Sequence, residues 1–188
     1  MDRAREHFDA LVMLVETLKS ESQGPANLAT QLRDPERQRP RRVCMMVGEI
    51  VYNLRAALDH LVWGLATRNG QVSVGGVGFP VCDSPEHFKQ VSHGGMLKGV
   101  PRKFYPLIAS AQPYLASDPA NAPLKLLQGL AIADARDGVA ISLIRDAGGD
   151  TGVAFDSIGC YDNAPILPVL TYLSGGVQGI VESFERCF

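Results

Sequence analysis

The feature that most limits this chain is a run of apolar residues at three- and four-residue spacing between positions 43 and 68. Val47, Val51, Leu54, Leu58, Leu61 and Leu65 recur at heptad-like intervals, as one long helix with a dry stripe requires. At about 100° per residue, Glu49, Asn53, Ala56 and His60 fall on the opposite side, flanked by Tyr52 and Trp63. Such a helix is expected to sit centrally, its mixed face meeting another helix, a second subunit or a ligand. Asn69-Gly70 supplies its stop.

This helix is not a membrane span. Glu49, Asn53, Arg55, Asp59 and His60 interrupt it, and a span needs roughly 20 mostly apolar residues. The opening MDRAREHFDA carries charges of both signs and no apolar signal core, so cytoplasmic residence is expected.

Around this helix the pattern stays mostly helical. Ala4, Phe8, Leu11, Val15 and Leu18 mark an amphipathic helix over residues 3 to 20, closed by Gly24 and Pro25. Residues 23 to 42, broken by Pro25, Pro35 and Pro40, read as a polar connection. Residues 71 to 82 read as an extended segment or loop, and Ser84-Pro85-Glu86 opens a short helix through about 92. A further helix runs from Pro101 to Pro113, and another from Asn121 to Asp134 with Leu124, Leu127 and Ala131 inward. The period then changes. Residues 138 to 145 and 152 to 158 suggest two strands joined through DAGGD. Asn163, with Pro165 close behind, is expected to start the last helix, whose stripe is Ile166, Leu170, Leu173, Val177, Ile180 and Phe184. Gly175, Gly176 and Gly179 inside it each cost roughly 1 kcal/mol against alanine, so a neighbour in close approach is expected there.

The expected fold is therefore mainly α (α+β), a helical bundle with a small β-hairpin at about 138–158, in one domain over residues 1–188. A hydrophobic share of 46% is enough for a substantial core in a chain of this length. The formal charge of −2 argues against bulk electrostatic attraction to nucleic acid, although residues 33 to 42 hold five Arg against two acids and leave room for local phosphate contact. More often such a run is a solvated loop. Cys44, Cys82, Cys160 and Cys187 lie far apart with no C-x-x-C pair, and reduced, partly buried thiols are expected.

One arrangement can carry chemistry. The segment 48 to 61, GEIVYNLRAALDHL, places Arg55 five positions before His60. With Phe79-Pro80, Gln112-Pro113-Tyr114 and the Leu-rich stretch at 124 to 130, it resembles a bacterial family common in actinobacteria and their phages. That family has an NLRSALDHL-like helix, an FP turn and a QPY turn in this order, and no activity comes with the resemblance. Its fifth helix ends in Asp-Lys-His-Arg, where this chain has Asp134-Ala135-Arg136-Asp137, without the Lys and His. The Arg-x4-His spacing is also similar to the motif of the HEPN superfamily, helical proteins that often dimerise. That superfamily includes metal-independent endoribonucleases of toxin–antitoxin and anti-phage systems. The similarity carries over Arg55 and His60, with Ala56 where those nucleases frequently have a polar residue. It implies a homodimer acting on RNA, and an antitoxin or other protein partner.

Cutting RNA without a metal means moving the 2′-OH proton and stabilising a doubly charged phosphorane. Histidine transfers protons near neutral pH, its ordinary pKa being about 6.5. Arginine offers a planar charged fork that matches phosphate oxygens. Residues five apart differ by about 140° around a helix, so a two-fold dimer or a bent helix is needed to bring both to one phosphate. Asp59 could orient an imidazole from a neighbouring subunit, and Asn53 could donate a hydrogen bond. The competing reading is architectural. Arg55 and Asp59 are one turn apart, the spacing of an ordinary helix ion pair, and His60 is then an interior or interface histidine. The chain on that reading is a non-enzymatic helical module that dimerises or docks a protein, with contact surfaces on the Tyr52/Trp63 face, the Gly-rich last helix and the hairpin edge. No cofactor is expected. Cys82, Asp83, His87 and His93 lie within twelve residues but match no familiar zinc spacing. The GGVG at 75 to 78 lacks the Lys-Ser/Thr of a phosphate loop.

Overall fold

The computed structural model describes residues 2–21, 38–68, 70, 75–136, 138–145, 151–158 and 161–187. Among them the protein is mainly α with a small antiparallel sheet. The helices are α1 (Asp2–Glu21), α2 (Gln38–Arg68), α3 (Pro85–His93), α4 (Tyr105–Ser110), α5 (Pro123–Arg136) and α6 (Ile166–Glu185). The strands are β1 (Ile141–Arg145), β2 (Thr151–Ile158) and β3 (Tyr161–Pro165), in the order β1-β2-β3. No helix of the described residues is long and apolar enough to cross a membrane.

The chain forms two compact units. One comprises residues 1–53 and 129–171, the other 54–128 and 172–188, so α2, α5 and α6 each contribute to both. In the first unit α1 lies against β2. Leu11, Val15, Val43, Val47, Ile50, Val51, Phe155 and Ile166 are buried there. In the second, Leu54, Leu58, Val62, Leu65, Phe79, Leu97, Ile108, Leu127, Leu173 and Phe184 are buried, with the Phe104 and Phe184 rings stacked at 6.1 Å.

The dry stripe of α2 is as its periodicity requires: Val47, Val51, Leu54, Leu58 and Leu65 are buried and Leu61 is half-buried. The helix starts earlier than its apolar pattern does, at Gln38 rather than 43. Pro40 falls in its first turn, where no intrahelical N–H bond is lost. Ser84 caps α3 by accepting the His87 N–H at 3.1 Å, with Pro85 at the first position. The stretch from Pro101 to Pro113 is not one helix. A 3-10 turn at Arg102–Phe104 leads into α4, and Pro113 opens a second 3-10 turn.

The hairpin is present, with Ile141 opposite Phe155 and Arg145 opposite Thr151. Its tip, 146–150, lies outside the described residues, as do 23–37 of the polar connection and Cys160. Asn163 does not start the last helix. It belongs to a third strand, where Ser157 faces Asp162 and Ala154 faces Pro165. Pro165 is tolerated because it ends an edge strand. Asn163 has φ of 54°, a left-handed conformation that asparagine accepts more readily than most residues.

The glycines of α6 separate into two kinds. A Cβ on Gly176 would come within 2.5 Å of the Pro123 Cβ, whereas Gly175 and Gly179 face open space. Close approach therefore accounts for Gly176 alone. Gly176→Ala is expected to destabilise by about 1–3 kcal/mol through overpacking. Gly175→Ala and Gly179→Ala are expected to stabilise by up to about 1 kcal/mol. Urea unfolding of the three variants checks the difference in sign.

Candidate functional site

The second half of α2 turns Arg55 and Asp59 toward the segment that precedes α3. Arg55 Nη2 donates to Asp59 Oδ1 at 3.0 Å and to the Phe79 carbonyl at 2.5 Å. Asp59 Oδ1 also accepts the Phe79 N–H at 2.8 Å. Two side chains one helical turn apart thus satisfy both backbone groups of one buried residue, as a neighbouring strand would. Gly78 makes room for this. A Cβ there would lie 3.0 Å from Asp59 Oδ1, and the Gly78 N–H donates to the Met96 carbonyl at 3.2 Å.

A second clamp holds the same segment two residues on. Gln112 is buried, its Nε2 donating to the carbonyls of Pro80 and Ile108, both at 3.0 Å. Its Oε1 accepts the Cys82 N–H at 2.9 Å. Residues 78–82 have no regular structure yet are largely buried, so their backbone polar groups need side-chain partners. Arg55, Asp59 and Gln112 supply them. The motif residues in the long helix, the FP turn and the QPY turn are thereby joined in one polar lattice.

The other candidates lie elsewhere. His60 is exposed and makes no hydrogen bond or ion pair among the described residues. Asn53 donates to the Glu49 carbonyl at 2.7 Å, a bond within its own helix. Arg55 and Asp59 are brought together, and neither His60 nor Asn53 joins them through any hydrogen bond among the described residues. Arg55 Nη1 is buried with no hydrogen-bond partner among the described residues. Gln112 was not legible as a site residue, because its bonds reach about thirty positions back along the chain and leave no mark on local periodicity. Its signal in the sequence was the Gln112-Pro113-Tyr114 turn.

Neither Cys44 nor Cys82 is an activated nucleophile. Burial pushes the Cys82 thiol up, and Asp83 pushes it further. Burial also raises Cys44, partly offset by a backbone hydrogen bond, with Asp156 and Asp134 adding to the rise. Both stay protonated, and so weakly nucleophilic, at neutral pH. Cys44, Cys82 and Cys187 are free. Asp83 instead pairs with Lys125 at 2.7 Å, and His93 Nδ1 bonds the Lys89 carbonyl at 2.8 Å. Among the described residues no group of three or more His, Cys, Asp or Glu is placed to hold a metal ion.

In the first unit, the exposed side of α2 forms a shallow groove lined by Met45, Gly48, Glu49, Tyr52, Asn53 and Asp134. Asp134 rests its carboxylate on Gly48, where a Cβ would lie 2.5 Å from Oδ1. Glu49 Oε2 pairs with His7 Nδ1 at 3.0 Å.

The described residues define a mainly α protein with a small antiparallel sheet and a buried loop clamped by polar side chains. Comparison of the chain with protein-family models, curated proteins and solved structures finds no match.

Proposed function

We propose that this chain is a non-enzymatic helical binding module, in which the Arg55–Asp59 pair is an architectural clasp. The observation that carries this reading is the double engagement of Phe79, whose carbonyl and N–H are both taken by the pair. A catalytic arginine has to offer its donors to a phosphate. Here Nη2 is committed twice and the side chain is only 20% exposed. The partners of such a module are a second copy of the chain or another protein.

One observation favours the HEPN-like ribonuclease reading as the alternative. His60 is exposed on the same helix, its side chain without a hydrogen bond or ion pair among the described residues, at the Arg-x4-His spacing. The two readings separate in a chelator-treated RNA cleavage assay of the wild type and His60→Ala. The binding-module reading predicts no turnover by either protein. Chelator-resistant cleavage leaving 2′,3′-cyclic phosphate ends, lost in His60→Ala with the fold intact, would replace it with the ribonuclease.

A further inference from the structure

The first half of α2 has an exposed stripe that reads as two halves of one charge pattern. Arg41 and Arg42 are exposed near its start, and neither has an ion pair among the described residues. One turn on, Met45 is 65% exposed, and beyond it Tyr52 is 71% exposed. Between them lie Glu49 and the Asp134 carboxylate resting on Gly48. Asp134 has no ion pair among the described residues, and the Glu49 side chain stays 50% exposed despite its bond to His7. On a helix of 100° per residue, positions 41, 45, 49 and 52 fall within about 80° of one another, so they form a single face.

We propose that this face is a self-complementary docking surface for a second copy of the chain, two α2 helices meeting antiparallel about a two-fold axis near Met45. The register follows from the spacing. Arg41 and Glu49 stand four residues to either side of Met45, about 6 Å each way at ~1.5 Å per residue. Arg42 and Gly48, with its Asp134 carboxylate, stand three residues to either side. A two-fold at Met45 therefore places the arginines of one copy opposite the acids of the other, twice over. The two Met45 side chains meet at the axis and lose their exposure. A parallel arrangement would set arginine against arginine and acid against acid. Gly48 adds to the fit, because any side chain there would displace the Asp134 carboxylate.

This inference deepens the binding-module reading by naming the partner, and its test is separate from that of catalysis. Light scattering after size exclusion is expected to give the wild type twice the mass of one chain. Arg41→Glu with Arg42→Glu, and Glu49→Lys with Asp134→Lys, are each expected to run as monomers, since each variant faces itself with like charges. All four positions are exposed, and circular dichroism checks that both variants keep their helix content. Mixed in equal amounts, the two variants regain complementarity and are expected to form a one-to-one heterodimer. A monomeric wild type, variants that dimerise as the wild type does, or a mixture that stays monomeric would each overturn the proposal. RNA cleavage by an intact dimer would instead remove the non-enzymatic reading and leave this interface standing.

Discussion

Replacing Gln112 with leucine is expected to cost about 2–4 kcal/mol of stability, although the change adds apolar surface to a buried site. The side chain is 2% exposed and makes three hydrogen bonds to backbone groups of two separate segments. Leucine fills a similar volume but leaves the Cys82 N–H and the Pro80 carbonyl without those partners inside the protein. Each such orphan costs about 1–3 kcal/mol. The gain from burying extra apolar atoms, on the order of 1 kcal/mol for a methylene-sized change, does not offset two of them. Guanidinium unfolding checks this, with exposed Gln90→Leu as the control expected to change stability by less than about 0.5 kcal/mol. Equal midpoints for Gln112→Leu and the control would mean that water or backbone movement replaces the clamp.

The second large effect concerns the clasp, and it is expected to be asymmetric. Asp59→Ala strands the Phe79 N–H and leaves the Arg55 guanidinium without its acid, where Nη1 already lacks a partner. The expected loss is about 2–3 kcal/mol, below the figure for a fully buried pair because the Asp59 side chain is 39% exposed. Arg55→Met strands the Phe79 carbonyl but also removes the unpartnered Nη1 and keeps an apolar stem over the segment. Its expected loss is smaller, about 1 kcal/mol. With both changes the acid no longer leaves a cation behind, so the double variant is expected to be more stable than the sum of the two losses implies. A strictly additive cycle would show that the two side chains hold Phe79 independently. A cycle in which Arg55→Met exceeds Asp59→Ala would show that the guanidinium dominates the clasp.

Much of the fold was legible because it is periodic. The stripe from Val47 to Leu65, the Ser84-Pro85 start of α3 and the apolar run Val153-Ala154-Phe155 each announce their element locally. The misses have local causes as well. Pro40 looks like a breaker but occupies a first turn that tolerates it. β3 was hidden by Asp162-Asn163 and Pro165, residues that usually mark turns, although they sit here on an edge strand with Asn163 in the left-handed region. The i, i+4 pairing of Arg55 and Asp59 was visible in the sequence, but its object was not. Nothing in the spacing indicates that residue 79 lies across from residue 59, or that Gln112 reaches Pro80 and Cys82. Long-range polar satisfaction of a buried loop depends on tertiary placement, which a single-sequence period does not encode.

Amide hydrogen exchange at Phe79 reports whether Arg55 and Asp59 secure the segment before α3. In the wild type the Phe79 and Cys82 amides are expected to be protected. Asp59→Ala is expected to accelerate exchange at Phe79 while leaving Cys82 slow, and Gln112→Leu to do the reverse. Phe79 exchange that is fast in the wild type, or unchanged in Asp59→Ala, would contradict the clasp and return Arg55 to the list of side chains free to bind a phosphate.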